Sequence, residues 1–429
     1  MKRIIVLCDG TGQSASRGEL AVPTNVHRFG QALLNDPQKI GTDQVVFYQS
    51  GVGTADLGLL GDLKQGAIGD GIEDNIVDGY NFVMTNYLPG DEIFIYGFSR
   101  GAYTARVLAN FIARVGMFNK SFSWEFKLAW KAYNVSTDKA KYDAIQNPHK
   151  HPFVPRVYNP KIKVVGCWDT VASLGLPWHP ISNPGGVSGE YAHFDGSLAP
   201  GIEHAFHALA LDECRGPFTP TLWYLPEDQE VAKTIDLHQC WFPGVHTNVG
   251  GGYPDQAIAD LTLAWMIDLC RPFLDFDRRY IGTLVDLNHQ PWKIRSKHRE
   301  ANPDGFDRVY QGWARGKQYD SYKKGQTWTW RYRTPGAYDA PVDRSCEVVH
   351  ASVRERWSAR PENRDWRPPS LKGFEPKQSG EQWEWVKNLG RGKLLILEEE
   401  PFEKKEKGSF EWLLRYAPVQ QAPEDVLKK

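Results

Sequence analysis

Five short apolar runs in this sequence each stop on small or polar residues. Residues 3–8 run into Asp9-Gly10-Thr11, residues 44–48 into Ser50-Gly51-Val52-Gly53, and residues 92–96 into Gly97-Phe98-Ser99. Residues 161–168 run into Asp169, and residues 239–242 into Gly244-Val245-His246. Runs without polar alternation suit strands buried on both faces, as in a parallel sheet. Between them lie helical spacings: Ile72, Ile76, Tyr80, Val83 and Tyr87 mark one face, and residues 102–115 form a second helix. Strand and helix in alternation predict an α/β, doubly wound, mostly parallel sheet with helical insertions. In such sheets ligands gather at the carboxyl ends of the strands, where these small and polar residues cluster.

The central run carries a chemical signal. Residues 93–102 read Ile-Phe-Ile-Tyr-Gly-Phe-Ser-Arg-Gly-Ala, placing Gly-x-Ser-x-Gly between a strand and a helix. A strand that turns sharply into a helix strains its turn residue, and glycines two positions to either side relieve the crowding. Ser99 then stands clear at the sheet edge, with a helix N-terminus favouring negative charge beside it. An α/β-hydrolase nucleophile elbow is the expectation. A serine nucleophile needs a base, and the base needs an orienting carboxylate, in chain order Ser, acid, His. His246 is the preferred base, because a glycine-rich loop follows its strand; His204, His207 and His238 are weaker. Asp169 ends a strand on the proper edge and is the preferred acid. Asp212 is the alternative, read as closing a helix near residues 204–212, with Arg215 a ready ion-pair partner. The backbone N–H of Arg100 is the expected oxyanion donor, with Gly10 and Thr11 supplying the second and residues 50–53 as their rival.

Two regions break the strand–helix rhythm. Residues 116–160 carry Trp124, Phe126, Trp130 and Tyr133 among lysines, and are read either as a cap over the site or as an ordinary helical excursion. Beyond about residue 291 lie nine of the 16 tryptophans, among Arg, Lys, Pro and Gly. The expected division is a catalytic domain over 1–290 and an accessory region over 291–429 packed on it. Within the latter, Trp328-Thr329-Trp330-Arg331-Tyr332-Arg333 suggests an exposed strand with cations against rings. Residues 398–407 are a charge run, read as a solvated loop. A formal net charge of −1 gives no overall field toward nucleic acid, so none is expected as a partner. No apolar run is long enough to span a bilayer, and the N-terminal run stops at Asp9, too soon for a signal peptide. The six scattered cysteines lack metal-like spacing and read as buried thiols, which makes the cytoplasm the expected compartment. No cofactor or metal is expected.

These motifs, in this order, carry a resemblance. Residues 4–11, 23–26, 50–54, 97–106, 166–175, 204–213, 241–253 and 260–266 resemble the uncharacterised α/β-hydrolase family related to the phospholipase effectors of bacterial type VI secretion, above all its fungal-type members. The resemblance implies Ser, Asp and His roles for Ser99, Asp169 or Asp212, and His246, and hydrolysis of carboxylic esters. The sequence departs at Asn248, where many bacterial relatives have an acid, so support for His246 from that position loses a charge. Beyond residue 290 only residues 348–354 are familiar.

The expected activity is therefore that of a serine esterase or phospholipase-like hydrolase acting through an acyl-enzyme on a small-molecule or lipid ester, with peripheral membrane contact left open. Two other classes compete. One is a binding or scaffold protein on a hydrolase fold. The other is a phosphoryl-transfer enzyme centred on Asp9, disfavoured because Thr11 stands where such enzymes carry a second aspartate.

Overall fold

All five apolar runs are strands of one sheet, and the strand ends carry the polar residues to one edge. The computed structural model describes residues 1–10, 22–35, 41–51, 65–126, 129–130, 133, 156–157, 160–171, 196–280, 282, 284, 314, 316–322, 330–338, 341–358, 366–402 and 409–416. The first strands are β1 (Lys2–Cys8), β2 (Asp43–Gln49) and β3 (Glu92–Phe98). A separate antiparallel pair follows, β4 (Met117–Phe118) with β5 (Arg156–Val157). Then come β6 (Ile162–Trp168), β7 (Ile202–Ala210), β8 (Asp236–Phe242), β9 (Glu347–His350), β10 (Phe374–Ser379), β11 (Gln382–Gly390) and β12 (Lys393–Glu400). The ten-stranded sheet has the order β10-β11-β12-β9-β8-β7-β6-β3-β1-β2. Every pairing from β2 to β12 is parallel, and only β10–β11 and β11–β12 are antiparallel. This is an α/β-hydrolase-like architecture.

The order reverses at β1, which pairs with β2 on one side and β3 on the other. The chain leaves β1 in one direction and returns on its opposite flank, so the connections diverge and leave a crevice at the carboxyl ends. Asp9 and Ser99 immediately follow the two strands that border it.

Because the side-chain period of a strand is two, each strand feeds two cores. Ile4, Val6, Cys8, Ile93 and Ile95 face α2 (Gln65–Asn86) and α3 (Arg100–Val115), which follows β3. Ile5, Leu7, Phe94, Tyr96, Val164 and Trp168 face the opposite layer, built from α1 (Asn25–Ala32), α5 (Ala257–Cys270) and α7 (Phe410–Tyr416). The layer also takes α4 (His246–Gly250), which follows β8. A third cluster joins Leu209 and Trp241 to Val349, Trp385 and Leu397, with α6 (Ala351–Ser358) contributing Val353. Trp168, Trp223, Trp241, Trp265 and Trp385 are all essentially buried. Burying each large side chain contributes about 2–3 kcal/mol relative to leaving it in water.

Several readings change. Residues 202–210 form the central strand β7, not a helix. Its alanines raise helix propensity, but β6 and β8 pair with both its edges, and burial on both faces overrides local preference. Within residues 116–160, Phe126, Trp130 and Tyr133 are buried against Tyr80 and Phe111, at the spacing of one helix face. These three side chains therefore pack into the core, whereas Trp124 is exposed; residues 134–155 lie outside the described residues. The charge run is partly strand: Glu398, Glu399 and Glu400 belong to β12, and buried Glu399 accepts from Arg354. Residues 403–407 of it lie outside the described residues. The six cysteines form no disulfide, and five are buried. No helix among the described residues is long and apolar enough to cross a membrane.

Candidate active site

Ser99 sits between β3 and α3 with φ 58° and ψ −124°, a positive φ rare for any side chain but glycine. Its flanking glycines are sterically required. A Cβ at Gly97 would overlap the carbonyl of Gly101 and lie 2.6 Å from Cα of Ala102. One at Gly101 would overlap the carbonyl oxygens of Cys8 and Asp9, where α3 begins against the end of β1. The Gly-x-Ser-x-Gly spacing thus lets three backbone segments meet at one point.

The hydroxyl of Ser99 lies 2.8 Å from Nε2 of His246, and Nδ1 of His246 lies 2.6 Å from Oδ2 of Asp169. With the carboxylate as acceptor, Nδ1 carries the proton and Nε2 accepts from the serine. Ser99 is 7% exposed, His246 4% and Asp169 0%. The imidazole is held between rings, with Phe98 at 4.7 Å and Phe218 at 5.0 Å between centroids. Its own backbone N–H donates to Glu213, whose carboxylate also accepts from Arg215 and from the hydroxyl of Ser321.

Asp169 follows β6 at φ 43° and accepts from Ala210 N–H. Arg333 reaches it from the far C-terminal part of the chain. Nη1 donates to Oδ1, and Nη2 donates to Oδ2 at 2.8 Å. Burial works against ionising this carboxyl, but the Arg333 guanidinium and the hydrogen bonds from His246 and Arg333 outweigh it and hold Asp169 well below the usual carboxylate range.

The other sequence candidates occupy different places. Asp212 does not touch His246. It accepts from Gly244 N–H at 2.6 Å and from the Trp366 indole at 3.0 Å, bracing the turn that leads into α4. Burial pushes its carboxyl up. Arg215 pairs with Glu213 rather than with Asp212. Asn248 supports the same turn instead of the imidazole, accepting from Val245 N–H and Tyr319 N–H and donating to the Lys317 carbonyl. His204 and His238 both bind Asp236 at the opposite, amino-terminal edge of the sheet. His207 is buried behind Asp169, where Thr170 N–H donates to its Nε2 and its Nδ1 meets Gln239. Burial, then the charge of Arg106, lowers its pKa to about 3, so it is neutral.

Gly10 abuts the serine, since a Cβ there would lie 3.4 Å from that of Ser99. Its N–H, however, donates to Asp9 at 2.7 Å and is not available as an oxyanion donor. Thr11 lies outside the described residues, as do positions 52 and 53 of the rival loop. Arg100 is the first residue of α3, so its N–H has no acceptor within the helix. Asp9 is held by Tyr48, Thr24 and Gly10, and burial pushes its carboxyl up. It joins the end of β1 to Thr24 and to Tyr48 of β2. Asn25 then ties α1 to the carbonyls of Val249 and Ala259, and Arg28 pairs with Asp260, so the 23–26 motif braces the segment after His246. Among the described residues no cluster of His, Cys, Asp or Glu could hold a metal ion.

Arg333 and Glu213 were not among the sequence candidates. The stretch around Trp330 was expected to be an exposed strand with cations against rings; instead Trp330 and Tyr332 are exposed while Arg333 is 2% exposed and pairs with Asp169. The alternation was visible, but not which face it buries.

A family model, that of the type VI secretion phospholipase effector Tle1-like catalytic domain, matches residues 2–269. The chain is 28% identical over 241 residues to an uncharacterised protein of Saccharomyces cerevisiae, a match covering 51% of this chain and 32% of that protein. It thus spans about a third of the length of that relative. Two solved structures are similar at low scores. The Tle1 effector bound to the VgrG spike of the type 6 secretion system has TM-score 0.32 and 20% identity, covering 59% of this chain and 52% of that one. An uncharacterised protein from Pseudomonas aeruginosa has TM-score 0.37 and 17% identity, covering 63% and 45%.

Proposed function

Because this chain belongs to the Tle1-like catalytic-domain family of type VI secretion phospholipase effectors, we propose that it hydrolyses carboxylic esters of lipids, with Ser99 as nucleophile. The observation that carries this reading is the line from Ser99 Oγ through His246 to Asp169, at 2.8 and 2.6 Å. In the first half-reaction Ser99 Oγ attacks the ester carbonyl carbon while Nε2 of His246 takes its proton. The tetrahedral oxyanion is received by Arg100 N–H; such a donor typically contributes about 10²–10³ in rate. Collapse breaks the carbon–oxygen bond, and the alcohol leaves with the proton from His246. Water then attacks the acyl-serine with His246 as base, releasing the acid and restoring Ser99. Asp169 keeps the Nδ1–H tautomer and stabilises the imidazolium.

A lipid substrate is supported by the family and by Trp330 and Tyr332, which directly flank Arg331 and are 55% and 48% exposed. Aromatic rings of this kind favour a membrane–water interface. The test pairs a fluorophosphonate probe with phospholipid and acylglycerol hydrolysis, using Ser99→Ala and His246→Ala as controls. Labelling and fatty-acid release in the wild type alone is the expected result. A folded wild type that neither labels nor releases fatty acid would sink the reading in favour of a binding protein.

A further inference from the structure

We propose that Arg333 is a positioning residue of the Ser99 site, keeping the Asp169 carboxylate ionised and fixing the direction in which it faces His246. This deepens the hydrolase reading and rests on it for one of two readouts. It also extends the machinery beyond the region that the family model matches, which ends at residue 269.

A carboxylate offers about four acceptor positions. Here Oδ1 takes Ala210 N–H and Nη1 of Arg333, and Oδ2 takes His246 Nδ1 and Nη2 of Arg333. Without the guanidinium, a carboxyl with no exposed surface would keep two donors and no partner charge, and would take up a proton. Arg333 is itself locked, since Nη1 also donates to the Ala210 carbonyl and Nη2 to that of Phe218, both at 2.8 Å. A planar fork held on both sides fixes the carboxylate plane, and with it the Nδ1 bond of His246.

Charged and titratable groups face this pair from several elements. His207, packed behind Asp169 from β7, is neutral. Glu213 and Tyr338 lie near the guanidinium and favour its cationic form, and Glu213 pairs in turn with Arg215. Arg106 of α3 acts on His207 from the other side, and its guanidinium donates to the carbonyls of Thr221 and Leu222.

The experiment uses the full chain, with Asp carboxyl carbons labelled with ¹³C and the Asp169 resonance assigned through Asp169→Asn. In the wild type that resonance stays ionised as the pH is lowered to the acid limit of folding. In Arg333→Gln it titrates at higher pH, and fluorophosphonate labelling falls about a hundredfold at pH 6, regaining about tenfold per pH unit as the carboxyl ionises. Arg333→Lys keeps the charge but loses the fork, so Asp169 stays ionised and labelling slows by about tenfold equally at every pH. A folded Arg333→Gln whose Asp169 titrates as in the wild type, or whose labelling profile keeps its shape, overturns the proposal. If the glutamine variant does not fold, wild-type labelling by Arg333→Lys overturns it and the uniform slowing supports it. An unlabelled wild type would count against the hydrolase reading, and the carboxyl titration alone would then decide on Arg333.

Discussion

Replacing Gly101 with alanine tests how tightly the serine turn is built. The added methyl would overlap the carbonyl oxygens of both Cys8 and Asp9 and lie 2.7 Å from the Asp9 carbonyl carbon, where real Cβ contacts stay beyond 3.0 Å. The obstacle is main chain, not a side chain that can swing away. Cys8 is paired in register with Gln49 on one side and Gly97 on the other, so the end of β1 cannot retreat without breaking a ladder. Overpacking usually costs about 1–3 kcal/mol, and this rigid contact belongs at the upper end, near 3 kcal/mol. The relief required is several tenths of an ångström between α3 and the Asp9–Gly10 segment, the two sides of Ser99. Misplacements approaching 1 Å cost about a hundredfold in rate, so labelling of Ser99 should fall by about ten- to a hundredfold. Urea unfolding measures the first quantity and the fluorophosphonate rate the second. Gly282→Ala is the control, since a Cβ there meets nothing within 4 Å and the position is helical, so its stability should equal the wild type's or exceed it by up to about 1 kcal/mol. A Gly101→Ala protein within 1 kcal/mol of wild type, and labelling at the wild-type rate, would refute the steric argument.

Three further outcomes are expected. Asp169→Asn should lower Ser99 labelling by about 10⁴, whereas Asp212→Asn should lose stability more than rate; the reverse ranking of labelling rates would make Asp212 the acid. His207 has a native pKa of about 3 against 6.5 when exposed, so the unfolded chain gains a proton first and stability falls as the pH drops from 6.5 toward 3, by up to about 1.4 kcal/mol per unit. His207→Gln should lose less between pH 7.5 and 5 by urea unfolding, and an equal loss would show that other groups dominate. Replacing Trp330 and Tyr332 together by alanine should raise KM on phospholipid vesicles while sparing a water-soluble short-chain ester; equal effects on both would remove the interfacial role.

The middle of the sheet was legible because strands such as β1, β3 and β6 are buried on both faces and so appear as unbroken apolar runs, whereas β10 to β12 are exposed on one face and do not. That Ser99, Asp169 and His246 would lie together was legible because each follows such a run, and the strand ends converge in space. What the sequence hid was tertiary in origin. Residues 202–210 carry helix-forming alanines, and only their two sheet neighbours make them a strand. Phe126, Trp130 and Tyr133 have the spacing of a buried helix face, but the lysines around them left a cap and an ordinary helical excursion equally open. Arg333 is paired across 164 residues, a distance that no local pattern encodes. Glu213 was overlooked beside Asp212, since adjacent acids look alike until one is seen to meet Arg215 and the His246 backbone.

The arginine that completes the acid's surroundings has a consequence for the order in which the protein is made. Ser99, Asp169 and His246 have all been synthesised by residue 246, yet the guanidinium arrives 87 residues later, and the strands that flank β8 on its outer side later still. At about 5–20 residues per second that interval lasts roughly 4–17 seconds. Until then the chain carries Ser99, Asp169 and His246 without the guanidinium that pairs with Asp169, and β8 without the strand that covers its outer edge. The surroundings of Asp169 are thus completed late in translation, by a residue far downstream of the serine.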